Sequence, residues 1–181
     1  MGPTDEQLMI DLRGGSRGAF EALFERHEEA VWRFYRRRLR EPSRAEELLQ
    51  EVFLAILQNA PRYEPRASFR SYLFGIAFNV LKAERRRSGR EPEPMVDEVP
   101  GEARDLDAAI WVRCALAALE PDDREIVMLR EYEGLSYQEI AALLNLPLNT
   151  VRSRLFRARA DLKQALSRTS PMPLKVNHEN C

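Results

Sequence analysis

The run Thr150-Val-Arg-Ser-Arg-Leu-Phe-Arg-Ala-Arg159 carries four arginines, spaced so that only some can share one face of a helix. A guanidinium forks onto guanine O6 and N7 or clamps a phosphate, so arginines in this pattern point to nucleic-acid recognition. At about 100° per residue, Asn149, Ser153, Phe156, Arg157 and Ala160 share one side, with Arg152 and Arg154 on its flanks. Phe156 on that side has no core of its own to fill and suits contact with a thymine methyl group. A solvated cationic surface helix is the plainer reading of the arginines alone, and the neighbouring elements argue against it.

Those elements are a helix, a turn and a second helix. Val151, Leu155, Ala158 and Leu162 recur at helical spacing and form the buried side of the arginine-bearing helix. Ser136 and Glu139 have the spacing of a capping box that starts a preceding helix, whose apolar stripe is Ile140, Ala141, Leu143 and Leu144. Asn145 stands where that helix must stop, and Asn is second only to Gly as a left-handed C-cap. Pro147 cannot continue the first helix but suits the start of the next. The pattern predicts a helix-turn-helix that places its second helix in a DNA groove.

The 181 residues suffice for one mid-sized domain or two small ones, and 44% hydrophobic with 31% charged residues describe a chain that folds without disulfides. The formal net charge is -1, from 28 basic and 29 acidic residues, whereas a protein that binds DNA alone usually has a basic excess. The charges are blocked: basic at Arg33, Arg36, Arg37, Arg38 and Arg40 and at Lys82, Arg85, Arg86, Arg87 and Arg90, acidic at Glu46, Glu47 and Glu51 and from Glu91 to Asp107. Separate blocks suggest that some faces meet DNA and others a protein. Cys114 and Cys181 are the only cysteines and give no disulfide framework, which fits a reducing cytoplasm. Met1 to Leu12 has no apolar run, so no signal peptide is expected, and no segment approaches the ~20 apolar residues that span a bilayer.

The fold class expected is all-α, with two small helical domains and no strand-period alternation. Residues 1–87 form the first domain, 88–105 a flexible acidic linker rich in Pro and Gly, 106–168 the second domain and 169–181 a disordered tail. In the first domain Ala19, Phe20, Leu23, Phe24, His27, Val31 and Phe34 mark one amphipathic helix. Pro42-Ser43 opens the next, Ser43 with Glu46 has capping-box spacing, and Pro61 ends it. Its apolar stripe is Leu48, Leu49, Val52, Phe53, Ile56 and Leu57, leaving Glu47, Gln50, Glu51 and Leu54 outside. Ser68 caps a helix that reaches Arg87 with Phe69, Leu73, Ile76, Ala77 and Val80 inward. Phe74 and Phe78 fall on another side, beside Ser71, Lys82 and Arg85. Aromatics among cations suit stacking on unpaired bases, and equally a helix sandwiched between two neighbours. His27 reads as a partly buried structural histidine and Cys114 as a small core residue.

Three segments, Ala45-Glu-Glu-Leu-Leu-Gln-Glu-Val-Phe53, Arg66-Ala-Ser-Phe-Arg-Ser-Tyr-Leu-Phe-Gly-Ile-Ala-Phe-Asn79 and Arg85-Arg-Arg87, resemble domain 2 of the extracytoplasmic-function (ECF) sigma factors. The helix-turn-helix, with its lead-in Leu116-Ala-Ala-Leu-Glu-Pro-Asp-Asp-Arg-Glu-Ile-Val-Met128, resembles their domain 4. The run Thr150 to Arg159 is similar to the enterobacterial sigma-E type, whose −35 sites contain AAC. The resemblance implies that Glu47, Gln50 and Glu51 bind the β′ clamp helices of core RNA polymerase, an acidic face meeting a basic partner. It implies that Tyr63, Arg66, Ser68, Phe69, Ser71, Asn79 and Lys82 recognise and open the −10 element of promoter DNA. A base flipped from the duplex there needs a polar pocket and an aromatic to replace its lost stacking. Asn149, Thr150, Arg152, Ser153, Phe156 and Arg157 would read the −35 element. The β flap of the polymerase and an anti-sigma factor are further implied partners, in transcription initiation under stress or environmental control. The family often has Trp at the position of Tyr72, Arg at Gly75 and an acid or amide at Ala83, so −10 recognition departs in detail.

A conventional activator or repressor would bind duplex DNA alone, usually as a dimer, and no dimerisation helix is evident. An enzyme is not expected: the histidines are His27 and His178, and no nucleophile–base pair or Gly-rich phosphate loop stands out. His178-Glu-Asn-Cys181 has a chelating spacing but only two strong ligands, so no metal site or cofactor is expected.

Overall fold

Thr4 and Ser16 start the first two helices by accepting hydrogen bonds on their side-chain oxygens from the amides of Gln7 and Ala19. These are α1 (Asp5–Arg13) and α2 (Arg17–Arg36), separated by a turn in which Gly15 takes φ 91°. The computed structural model describes residues 2–89 and 111–168. The 88–105 linker, from residue 90 on, and the tail with His178 and Cys181 lie outside the described residues.

Helix α3 (Pro42–Asn59) begins differently from the expected capping box. Its N-cap is Glu41, with no side-chain cap bond, and Pro42 occupies the first turn. Proline's fixed φ suits that position, which puts Ser43 inside the helix rather than at its cap. A 3-10 turn at Ala60–Arg62 follows Asn59, and α4 (Phe69–Ser88) is capped by Ser68 through the amide of Ser71. Helices α1 to α4 pack in sequence around Leu23, Val31, Phe34, Leu48, Val52, Ile56, Leu73 and Leu81. The Tyr35 hydroxyl donates to the Ala77 carbonyl at 3.0 Å, tying α2 to α4 through a fully buried ring. Phe74 and Phe78 are buried too, so α4 is the sandwiched helix of the two readings. Leu57, expected in the α3 stripe, is 40% exposed.

The second group holds α5 (residues 111–117), α6 (Pro121–Glu131), α7 (Tyr137–Leu144) and α8 (Leu148–Arg168). Arg124 donates to the carbonyls of Leu116, Ala117 and Leu119, satisfying the end of α5 from α6. Cys114 is exposed, against expectation, because Ala115 and Leu119 take the inward side of that segment. The Ser136/Glu139 capping box forms in both directions. Asn145 adopts φ 54° and ψ 47°, and the Leu146 amide reaches back to the Ala141 carbonyl at 2.9 Å. Pro147 then offers its carbonyl to the amides of Thr150 and Val151. Val151, Leu155 and Ala158 are buried on the inner side of α8. The structure is all-helical among the described residues, and none of their helices is long and apolar enough to cross a membrane.

The left-handed turn fixes the angle at which α8 leaves α7, so it is the local element most sensitive to a β-carbon without an amide. Asn145→Ala should lower stability by about 1 kcal/mol, since Ala lacks the local hydrogen bonding that lets Asn adopt this conformation. Asn145→Gly should match or exceed the wild type in the same thermal melts.

Candidate nucleic-acid interface

The charged residues of α8 divide by whether a carboxylate meets them. Arg154 donates to Asp122 at 2.9 Å and lies 3.6 Å from Asp123, and Arg159 donates to Glu131 at 2.6 Å. Both therefore brace α8 against α6. Arg152 and Arg157 are exposed and form no ion pair among the described residues. Phe156 between them is 78% exposed. Asn149 and Ser153 are exposed beside them, Thr150 is half-buried, and the Ser153 hydroxyl donates to the Thr150 carbonyl at 3.0 Å. Apolar burial of Val151 and Leu155 holds this face outward, as an edge carrying hydrogen-bond donors and one aromatic plate. That edge suits a major groove.

A second surface runs along α4. Ser68, Ser71, Asn79 and Lys82 fall within roughly a quarter turn of one another at 100° per residue. Asn79 and Lys82 are exposed, and the Lys82 ammonium sits 4.8 Å from the centre of the Phe78 ring. The loop before α4 adds a cavity of about 480 Å³ lined by Asn59, Arg62, Tyr63, Glu64, Arg66, Tyr72 and Ile76. The hydroxyls of Tyr63 and Tyr72 are both buried and find no protein hydrogen-bond partner. Burial raises the pKa of each above the ordinary tyrosine value, so both stay protonated and can donate. Buried polar atoms without partners are rare in native proteins, and here two belong to residues that line one cavity. Tyr72 is absent from the residues read off the sequence for this site; its only signal there is a hydroxyl-bearing ring where Trp is frequent. Phe69 has no exposed surface: its ring packs 5.1 Å from His27 and 6.2 Å from Tyr72, so it supports the cavity from below.

A third surface lies on α3. Glu47, Gln50 and Leu54 are exposed and Glu51 is partly so, and Leu54 with Leu57 adds an apolar strip that the charges alone do not suggest. Their spacing from Glu47 and Gln50 is the signal that sequence reading could have used. The acids do not stand alone: Arg44 bonds Glu47 and Glu84, and Arg87 lies 3.5 Å from Glu51 and 3.3 Å from Glu84. Hydrogen bonds from Arg44 are the largest cause holding Glu84 below the ordinary carboxylate range.

The basic block at the end of α2 is not an open cationic face. Arg36 and Arg38 are buried, Arg36 donating to the carbonyls of Leu39 and Arg40, and Arg37 and Arg38 donate to Glu133. Runs of arginine look alike in sequence whether they face a carboxylate or water.

Residues 23–91 match the family described as Sigma-70 region 2, and residues 109–162 match Sigma-70, region 4. The chain is 33% identical over 160 residues to the ECF RNA polymerase sigma factor SigC of Mycobacterium tuberculosis, covering 84% of this chain and 85% of that one. It is 34% identical over 165 residues to the RNA polymerase sigma factor CarQ of Myxococcus xanthus, covering 87% and 95%. Among solved structures it is similar to the sigma factor RpoE of Bartonella quintana in complex with the anti-sigma factor NepR, with a TM-score of 0.69, 25% identity and coverage of 83% and 98%.

Proposed function

The chain belongs to the ECF sigma factors, which bind core RNA polymerase and direct promoter-specific initiation, and on that premise we propose how its surfaces share the task. Helix α8 reads the −35 element in the major groove. Arg152 and Arg157 supply forked donors, Phe156 meets a thymine methyl, and Asn149, Thr150 and Ser153 serve the flanking bases and phosphates. The side of α4 carrying Ser68, Ser71, Asn79 and Lys82 follows the opened −10 strand. The Tyr63–Tyr72 cavity, with Arg66 at its rim, holds a base turned out of the duplex. Phe69 acts from beneath as packing rather than as a stacking plate. Glu47, Gln50, Glu51 and Leu54 on α3 dock on the β′ clamp helices, and the second helical group meets the β flap. The protein works in the cytoplasm as a polymerase subunit without a reaction of its own. An anti-sigma factor restrains it until an environmental stress releases it, by analogy with the relative whose structure contains one.

The observation that carries this reading is the division of the α8 arginines into two paired with acids and two left to solvent around Phe156. Run-off transcription with bacterial core polymerase on templates bearing an AAC-type −35 element tests it directly. Transcripts that need both the protein and the core support it. Specific duplex binding by the protein alone, without transcription, points to a conventional regulator.

Arg152→Ala should weaken initiation by about 1–3 kcal/mol of lost base contact while leaving core affinity unchanged. A fall in core affinity would remove Arg152 from the −35 surface. Reversal of Glu47 and Glu51 to Lys should sharply reduce core binding in a co-purification or anisotropy assay, with helical circular dichroism preserved. The logarithm of the holoenzyme's affinity for promoter DNA should fall linearly with the logarithm of the salt concentration in a binding titration.

A further inference from the structure

Helix α1 lies ahead of the residues that match Sigma-70 region 2, yet it holds both ends of the loop beside the Tyr63–Tyr72 cavity. At one end, Arg13 Nη1 donates to the Tyr63 carbonyl at 3.2 Å. At the other, Glu6 Oε1 accepts from the Phe69 amide at 2.8 Å. Glu6 and Arg13 are about two helical turns apart, so they fall on one side of α1, roughly 10 Å from each other along its axis. Leu8, Met9 and Leu12 are buried, which fixes the rotation of α1 and keeps that side toward the loop.

The bond at Phe69 is a helix cap supplied by another element. The Phe69 amide is the first of α4, one of the donors a helix leaves without an internal partner. Ser68 accepts from the Ser71 amide and Glu6 from that of Phe69, so a carboxylate meets the positive end of the α4 dipole. The same carboxylate lies near Tyr63: burial first, and Glu6 next, raise the pKa of that hydroxyl. Beside it, Asp5 Oδ2 lies 2.8 Å from His27 Nε2, and the His27 ring rests 5.1 Å from Phe69, which continues to Tyr72 at 6.2 Å. The first turn of α1 is thus joined both to the start of α4 and to the rings beneath the cavity. Between the two anchors, residues 64–67 are exposed, and their bonds are local, from the Arg66 amide to the Glu64 carbonyl and from the Arg66 guanidinium to the Glu64 carboxylate. A short exposed loop of this kind takes its shape from what holds its ends.

We propose that Glu6 and Arg13 are positioning residues for base recognition: α1 clamps the loop of residues 63–68 at both ends, and the clamp sets the shape of the Tyr63–Tyr72 cavity and so which base of the opened strand it accepts. The clamp itself rests on geometry; the selectivity it governs rests on the reading of that cavity as a −10 base site. Neither side chain has to touch DNA. Release of either end lets Tyr63 or Phe69 shift against Tyr72, and a cavity whose walls move discriminates less between bases.

The test uses the full chain with core polymerase, on templates that carry each of the four bases in turn at every −10 position of a promoter it transcribes. Run-off rates give the base preference at each position. The variants are Glu6→Ala, Arg13→Ala, Glu6→Gln, which keeps an oxygen to accept from the Phe69 amide, and Arg66→Ala at the cavity. Ile56→Val, in the core of α3, is a control that lowers stability away from the loop. Hydrogen exchange across residues 63–72 of each free protein reports on the loop directly. The clamp predicts faster exchange there for Glu6→Ala and Arg13→Ala, and a loss of about fivefold in base preference at one −10 position, the worth of one hydrogen bond. Glu6→Gln should recover most of both, and Ile56→Val should keep the parent's preference. Unchanged exchange in the two alanine variants overturns the clamp. Faster exchange with unchanged preference, where Arg66→Ala does alter it, overturns the positioning role and leaves the cavity assignment standing. Preference unchanged in Arg66→Ala as well overturns the cavity assignment and the selectivity together. An equal loss in Ile56→Val marks a general effect of stability and overturns the positioning role too.

Discussion

Helix α4 must be buried on two sides, and the arrangement of the first helical group follows from that constraint. Phe69, Leu73 and Ala77 face one set of neighbours while Phe74, Phe78 and Leu81 face another, all with at most 3% exposure. Ser68, Ser71, Asn79 and Lys82 lie together in a strip on the side of the helix outside those contacts. Burial of the rest makes the strip rigid: its backbone is anchored by the Tyr35 hydroxyl on Ala77 and by Glu6, which accepts from the Phe69 amide at 2.8 Å. A surface on a helix held this way loses little entropy when a ligand binds.

Charge carries two separate duties in this chain, and the partner of each arginine decides which. Arg154 and Arg159 orient α8, Arg124 closes α5, Arg44 and Arg87 set the spacing of acids on α3, and Arg38 joins the helical groups. Burial disfavours the charged form of Glu125, but Arg38 and Arg85 outweigh it and hold the carboxyl below its ordinary range, so it remains an anion at neutral pH. Glu139 behaves likewise: burial pushes it up and bonds from Ser136, Ser68 and Ser71 pull it further down. One carboxylate therefore closes a capping box and reaches the other helical group. Among the described residues, Arg152 and Arg157 of α8 are exposed cations outside these ion pairs.

Much of the helix-turn-helix was legible because its signals are local. The Ser136/Glu139 box, the left-handed Asn145, and the Val151, Leu155, Ala158 spacing each concern residues within a turn or so of one another, and the structure shows all of them. The capping expectation at Ser43 failed for an equally local reason, since Pro42 claims the first turn. Cys114 failed because one small residue in a short segment carries no phase. The Phe74 and Phe78 alternatives could not be separated from sequence: a helix with apolar residues on two sides reads the same whether the second side meets a base or another helix.

The sequence by itself determined the helical class, the helix-turn-helix, the family and the outward set of residues on α8, because periodicity and capping are written within short spans of chain. Only the tertiary structure decided which arginines are spent on carboxylates, that Tyr63 and Tyr72 share a cavity with idle hydroxyls, and that Arg38 meets Glu125 and Glu133 across 87 and 95 residues of chain. The reason is physical: whether a charge is buried, paired or free depends on what lies against it, and those neighbours come from distant parts of the chain.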